Sequence, residues 1–237
     1  MLEIKDNIAC IKQQILRACQ KSSRQVNEVH LLAVSKTKPI SLIEQAYQAG
    51  LRAFGENYLQ EAVEKIKKLQ HLSNINWHFI GPIQSNKTKA IAEHFSWVQS
   101  VDRLKVIQRL NNQREQAIDN NLQQLPLNIC LQINISGEKN KSGAMIEQLD
   151  ELAAAVEQCQ FLQLRGLMAI PEKNAPFSRY QQMQTLFNSL KAQYSNVDTL
   201  SLGMSNDLAQ AIAAGSTMVR IGTAIFGARV PLRNKEK

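Results

Sequence analysis

The chain has 237 residues, of which 44% are hydrophobic, 20% charged and 5% aromatic, and its formal net charge is +8. This composition excludes a disordered or fibrous chain and suits a globular protein, for which a single α/β barrel domain of about 250 residues is common. The basic charge comes without an arginine-rich run, zinc-finger spacing or an aromatic RNA-binding motif, so we predict no nucleic-acid binding and note that the charge suits an anionic small ligand.

The sequence also argues against targeting, membrane and metal-binding segments. Charged residues Glu3, Lys5 and Asp6 precede any apolar run, which is unlike a secretory signal or transit peptide. No apolar segment approaches the roughly 18 residues needed to span a bilayer. The four cysteines are scattered and the four histidines lack metal-ligand spacing. We therefore predict a cytoplasmic protein with reduced thiols, no metal site and no membrane contact.

Strand-like and helix-like patterns alternate along the chain. An amphipathic helix over residues 2–20 comes first, and the strands that follow are predicted at 29–36, 52–55, 75–80, 95–99, 127–134, 161–170, 199–202 and 216–221. Helices separate these strands at about 39–50, 59–70, 85–94, 102–120, 145–158, 176–194 and 207–214.

Eight strands, each but the last followed by a helix, predict a single (β/α)8 TIM barrel domain over residues 1–237, with an extra N-terminal helix. An open doubly wound sheet is the alternative. The lack of a Gly-x-Gly-x-x-Gly motif after any strand argues mildly against its dinucleotide-binding form.

The first strand, within residues 29–38, brings a lysine to its C-terminal end. Apolar residues on both faces indicate a central parallel strand, with Leu32 and Val34 in register with Lys36. Such a lysine either extends to solvent or reacts with a ligand. If the strand continues, Lys38 lies on the same face and its charge opposes protonation of Lys36; otherwise Lys38 is a solvated loop residue.

Two loops that follow strands could bind a phosphate group. Gly222 and Thr223 come directly after the last strand, where backbone N–H groups and a hydroxyl can surround an anion. In the preceding loop, Ser205 or Asn206 could cap the next helix, and the glycines could simply serve tight turns. Two adjacent anion sites beside the strand-end Lys36 match the needs of pyridoxal phosphate, which takes a lysine amine and a phosphate cradle.

Several segments also resemble the YggS/PROSC family of pyridoxal phosphate homeostasis proteins, which are single-domain relatives of the alanine racemase barrel. These segments are residues 30–38, 54–58, 77–84, 164–168, 200–207 and 212–227. The resemblance implies a fold-type III barrel that holds pyridoxal 5'-phosphate as a Schiff base on Lys36.

The same resemblance implies roles for residues near other strand ends. Ser205, Gly222 and Thr223 would hold the phosphate, and Arg220 would face the pyridine nitrogen. Asn57 would lie near the aldehyde side and Lys141 near the entrance. The barrel prediction itself places Met168, a further candidate for cofactor binding, and His78, within the third strand, among the residues at the C-terminal ends of the strands.

The resemblance further implies a carrier, buffer or regulator of the cofactor, with apo-enzymes as acceptors and no residue in a catalytic role. No long apolar stripe is left uncovered in the sequence, which favours a monomer. An arginine beside the pyridine nitrogen disfavours its protonation, which weakens the electron sink that carbanion chemistry requires. One alternative is a small pyridoxal phosphate-dependent racemase that uses Lys36. Another, supported only by net charge, is a basic module that binds nucleic acid or an anionic partner.

Overall fold

The computed structural model describes residues 3–123, 125–138 and 141–228. Eight parallel strands pair in chain order, and β1 pairs with β8 to close a barrel. The strands are β1 His30–Val34, β2 Ala53–Glu56, β3 Asn76–Phe79, β4 Trp97–Val101, β5 Leu127–Ile133, β6 Leu162–Ala169, β7 Thr199–Ser201 and β8 Met218–Ile221. The predicted (β/α)8 barrel is confirmed.

Helices precede the first strand and follow every strand of the barrel. They are α1 Ile4–Lys21, α2 Ile40–Gln48, α3 Leu59–Lys68, α4 Thr88–His94, α5 Leu104–Asp119, α6 Leu149–Glu157, α7 Phe177–Gln193, α8 Leu208–Ala213 and α9 Thr223–Phe226. The extra N-terminal helix is therefore confirmed. The short α9 was not predicted, because a single helical turn is too brief to show an apolar period.

α1 packs on the outside of the barrel, near the place where β8 meets β1. It contacts α2, α8 and α9 through a stripe of buried residues that includes Ile4, Ile8, Ile11 and Ile15. This spacing of three to four residues is the apolar face that a surface helix buries.

The barrel interior contains a row of polar side chains, which we call the interior chain. It consists of His78, Gln99, Ser201 and Arg220, all buried. An Arg220 Nη1 donates to Ser201 Oγ at 2.7 Å, and Ser201 Oγ donates to Gln99 Oε1 at 2.7 Å. Gln99 Nε2 lies 2.9 Å from His78 Nδ1. Four strands are thereby linked through the core by side chains with satisfied polar atoms.

Neither a membrane-spanning helix nor a metal-binding cluster occurs in the described ranges. No helix there is long and apolar enough to cross a bilayer. No group of three or more His, Cys, Asp or Glu side chains in the same part of the chain could hold a metal ion.

Candidate functional site

Lys36 lies in a tight turn at the C-terminal end of β1. The strand ends at Val34, and Lys38 N donates to Ser35 O at 3.1 Å, which makes Lys36 and Thr37 the central residues of the turn. The prediction that the strand extends to Lys36 was therefore wrong by two residues. The chain leaves the extended conformation in this turn, where Thr37 has a φ of 61°.

Lys38 does not share a strand face with Lys36. The Lys38 Nζ donates to Gly227 O at 2.8 Å and to Ala228 O at 2.7 Å, just beyond α9. Both sequence-based readings of Lys38 were wrong, because the strand does not continue and the side chain is 8% exposed rather than solvated. Its bonds fasten the Lys36 turn to the chain that follows β8.

Asn57 directly follows β2, the strand beside β1. Its Oδ1 atom is buried and has no hydrogen-bond partner in the described part of the chain. Leaving a buried acceptor unpaired costs about 1–3 kcal/mol. A ligand that donates a hydrogen bond here would remove that cost, which makes Asn57 Oδ1 a candidate contact for a ligand.

The loop between β7 and α8 is held by Asp207 rather than by Ser205 or Asn206. Asp207 is the N-cap residue of α8, and its Oδ1 accepts a hydrogen bond from Met204 N at 2.7 Å. The prediction that Ser205 or Asn206 caps this helix was therefore wrong. Ser205 is exposed, and its hydroxyl makes no hydrogen bond with any residue that the structure describes, so it remains available to an anion.

Gly222 brings the last βα loop close to the Lys36 turn. A Cβ atom at Gly222 would lie 3.1 Å from Val34 O, at the end of β1. The first helical bonds of α9 run from Ile225 N and Phe226 N to Gly222 O, so the N–H groups of Thr223 and Ala224 precede the helix's own bonding. These donors and the Lys36 turn therefore directly follow two neighbouring strands, β8 and β1.

Arg220 lies below this loop and is only 4% exposed. Besides its bond to Ser201 Oγ, its guanidinium donates to Ser201 O at 2.7 Å and to Ala169 O at 2.8 Å. Burial lowers the pKa of Arg220 to about 10, so the group stays protonated at neutral pH and can only donate. Met168 pairs in register with Ser201, which directs its side chain into the same interior.

Lys141 lies on the far side of the C-terminal face, which we call the mouth of the barrel. Its loop follows β5, the strand opposite β1 in the closed order of eight. Lys141 Nζ forms an ion pair with Glu138 Oε1 at 2.8 Å. The structure therefore brings Lys36, Asn57, Gly222 and Thr223 to one side of the mouth and leaves Lys141 on the other.

From the sequence, His78 was expected among the residues at the C-terminal ends of the strands. It belongs instead to the interior chain and lines a cavity at the opposite face of the barrel. This cavity, of about 570 Å³, is bordered by the first residues of six strands: His30, Ala53, Asn76, Trp97, Thr199 and Met218. The His78 ring stacks on Trp97 with centroids 5.1 Å apart. Burial lowers the pKa of His78 to about 3, so the ring is neutral.

Sequence reasoning missed a cluster outside the barrel, which we call the anchor cluster: the buried Ser35, Glu56 and Lys65 and the partly exposed Glu61. Glu56 Oε1 accepts from Ser35 Oγ at 2.6 Å and from Lys65 Nζ at 2.8 Å. Lys65 Nζ also donates to Ser35 O at 2.8 Å and to Glu61 Oε1 at 2.5 Å. Burial raises the pKa of the Glu56 carboxyl, and the Lys65 ammonium opposes that rise.

The available signal for this cluster was the helical period of α3. Lys65 follows Ala62 by three residues and precedes Leu69 by four, and all three are buried. A lysine on an apolar stripe needs a buried partner, so its position already indicated a carboxylate nearby.

Comparison with known sequences gives a consistent family. A family model described as alanine racemase, N-terminal domain, matches residues 7–230. The pyridoxal phosphate homeostasis protein of Escherichia coli (strain K12) is 52% identical over 235 residues, covering 97% of this chain and 98% of that protein. The protein of the same name from Pseudomonas aeruginosa is 52% identical over 236 residues, covering 97% of each chain.

Comparison with solved structures agrees. PipY of Synechococcus elongatus PCC7942, solved with PLP bound, superimposes with a TM-score of 0.77 at 32% sequence identity. The match covers 95% of this chain and 100% of that chain.

Proposed function

The chain belongs to the alanine racemase N-terminal domain family, and on that premise we propose that it is a pyridoxal 5'-phosphate-binding protein of cofactor homeostasis. In this proposal, residues 1–237 form one cofactor-binding domain that carries, buffers or regulates the cofactor. It works in the cytoplasm as a monomer, without robust catalysis.

Lys36 would supply the amine in this proposal. Lys36 would hold the cofactor through its side-chain amine, and the cofactor would supply an aldehyde to which a lysine amine can attach. Asn57 would meet the aldehyde side through its buried Oδ1. Met168 would add an apolar wall, and Lys141 would act from the entrance.

The phosphate would be held by Ser205 and by the backbone N–H groups and hydroxyl at Gly222 and Thr223. The observation that carries the proposal is the approach of Gly222 to the end of β1, where a Cβ atom would lie 3.1 Å from Val34 O. This contact supports the proposal because it brings the loop that would cradle a phosphate close to the turn that carries Lys36, and pyridoxal phosphate requires both a phosphate cradle and a lysine amine.

Arg220 supports a role in binding rather than in catalysis. Its guanidinium is protonated and can only donate hydrogen bonds, so a pyridine nitrogen facing it would be held unprotonated. That state is a poor electron sink. The competing function, a small racemase that uses Lys36, predicts α-proton exchange of an amino acid by the loaded protein, whereas our proposal predicts little or none.

The experiment that tests the proposal is an absorbance titration of the purified protein with pyridoxal phosphate. We expect a visible band in the wild type that borohydride reduction fixes onto Lys36, as mass spectrometry of the digest would show. Lys36→Ala should lose the band, whereas Lys68→Ala, an exposed lysine on α3, should keep it. A wild type whose spectrum with excess cofactor is only that of free pyridoxal phosphate would contradict the proposal.

Transfer to acceptors is tested separately. We expect the loaded protein to restore activity to an apo-enzyme that needs pyridoxal phosphate, faster than the borohydride-reduced protein does. Sedimentation with and without cofactor tests the proposed monomer.

A further inference from the structure

We propose that Glu56, Glu61 and Lys65 are positioning residues for Lys36. They hold the turn over residues 35–38 so that the Lys36 amine is presented to the cofactor. This inference rests on the proposed function, because it concerns the same site. These three side chains lie on the outer side of the barrel wall, beneath the turn.

Both chain neighbours of Lys36 are bonded to side chains of α3. On one side, Lys65 Nζ donates to Ser35 O at 2.8 Å. On the other side, Thr37 N donates to Glu61 Oε1 at 2.6 Å. Because the flanking backbone sets the direction of the Cα–Cβ bond, two bonds that bracket Lys36 set the direction in which its side chain leaves the turn.

The turn has an intrinsic reason to need such support. Thr37 has a φ of 61°, in the left-handed region that a β-branched residue rarely occupies. A β-turn of this type favours glycine at that position, and a non-glycine residue held there costs on the order of 1–3 kcal/mol. Bonds from Thr37 to its surroundings must offset that cost.

The cluster's buried charges are arranged around the turn. Lys65 is 5% exposed and Glu56 is 0% exposed. The three donors of the Lys65 ammonium are matched by its three acceptors, Ser35 O, Glu56 Oε1 and Glu61 Oε1. One of these acceptors belongs to the turn itself, and Glu56 Oε1 also accepts from Ser35 Oγ. A buried ion pair alone adds little stability. We therefore assign the function of this cluster to the bonds that it makes with the turn.

Glu61 is the most useful position for a test, because its side chain is 30% exposed and its loss should leave the fold intact. We expect Glu61→Ala to slow the attachment of pyridoxal phosphate to Lys36 about tenfold, measured by stopped-flow absorbance. Glu61→Gln keeps an acceptor for Thr37 N and should recover most of the rate. Glu64→Ala, an exposed glutamate of the same helix, should behave as the wild type.

A double variant separates positioning from general stabilisation. Glycine adopts a positive φ without strain, so Thr37→Gly should let the turn form without Glu61. We expect Thr37→Gly combined with Glu61→Ala to attach the cofactor within about threefold of the wild-type rate, since the strain has been removed. A double variant as slow as Glu61→Ala alone would overturn the positioning role.

The outcomes also separate this inference from the proposed function. A wild type that never forms the visible band contradicts the proposed function before any variant is compared. A wild type that forms it, with Glu61→Ala attaching cofactor at the same rate, contradicts the positioning role and leaves the function standing.

Discussion

Inside the barrel, the side chains of His78, Gln99, Ser201 and Arg220 bond to one another in a continuous row. At the mouth, by contrast, Asn57 has a buried oxygen without a partner, and the exposed Ser205 hydroxyl bonds to none of the described residues. The two regions therefore use their polar side chains differently. The interior chain serves folding whether or not a ligand is present, whereas the Asn57 oxygen and the Ser205 hydroxyl at the mouth can each bond to a ligand.

The largest effect expected from this comparison is a pH dependence of stability that comes from His78. The folded protein keeps the pKa of His78 at about 3, whereas the unfolded chain takes up the proton near 6.5. Below pH 6.5 the unfolded state therefore binds more protons than the folded state. The free energy of unfolding decreases as the pH is lowered from 6.5 to about 3, in total by on the order of 5 kcal/mol.

The measurement is urea unfolding of the wild type and His78→Gln at pH 7 and pH 4.5. The free energy of unfolding of the wild type should fall by about 3 kcal/mol more than that of the variant between these pH values. Equal losses in the two proteins would show that His78 is not the group that titrates.

The next effect concerns Arg220, the upper end of the interior chain. Arg220→Leu leaves Ser201 O, Ser201 Oγ and Ala169 O without their donor, which should lower the free energy of unfolding by about 3–4 kcal/mol. Arg220→Lys keeps the charge but loses the planar fork, so it should lie between. Urea unfolding without cofactor is the measurement, and an unchanged midpoint for Arg220→Leu would count against a folding role.

At the mouth, Gly222→Ala should act mainly on the ligand. Its new methyl group would approach Val34 O to 3.1 Å and press on the end of β1. We expect the dissociation constant of pyridoxal phosphate to rise about tenfold, which is about 1.4 kcal/mol. Thermal unfolding without cofactor should change far less than it does for Arg220→Leu, and a large loss there would place Gly222 with the interior instead.

The smallest effect is expected for Ser205→Ala. The variant should fold with wild-type stability, because the hydroxyl is exposed. Loss of one hydrogen bond to a phosphate should weaken cofactor binding by a factor of about 5 to 10. Ser142→Ala, another exposed serine at the mouth, serves as the control in the same titration. Equal affinities for both variants would remove Ser205 from the phosphate site.

The barrel could be predicted from the sequence because every βα unit shows its own local pattern. Buried strands read as short apolar runs, and the helices between them show apolar residues every three to four positions. The ends of the strands then identified Lys36, Asn57 and Gly222 as neighbours at one face, since a parallel barrel brings all these ends together.

The details of the site depend on contacts that no local pattern carries. The turn at Lys36 requires a positive φ at Thr37, which the sequence argues against, and it is bonded to Glu61 on another element. Lys38 finds its acceptors almost 190 residues further on, at Gly227 and Ala228. Asp207 displaced Ser205 as the cap of α8 because its side chain closes the preceding loop.

The interior chain also fixes the tautomer of a ring at the far end of the barrel. A guanidinium cannot accept a hydrogen bond, so the Ser201 hydroxyl accepts from Arg220 and donates its own hydrogen bond to Gln99 Oε1. The Gln99 amide therefore directs its NH2 group to His78 Nδ1 and to Met218 Sδ. His78 then carries its proton on Nε2, and a cation beneath the mouth dictates which imidazole nitrogen is protonated at the opposite face.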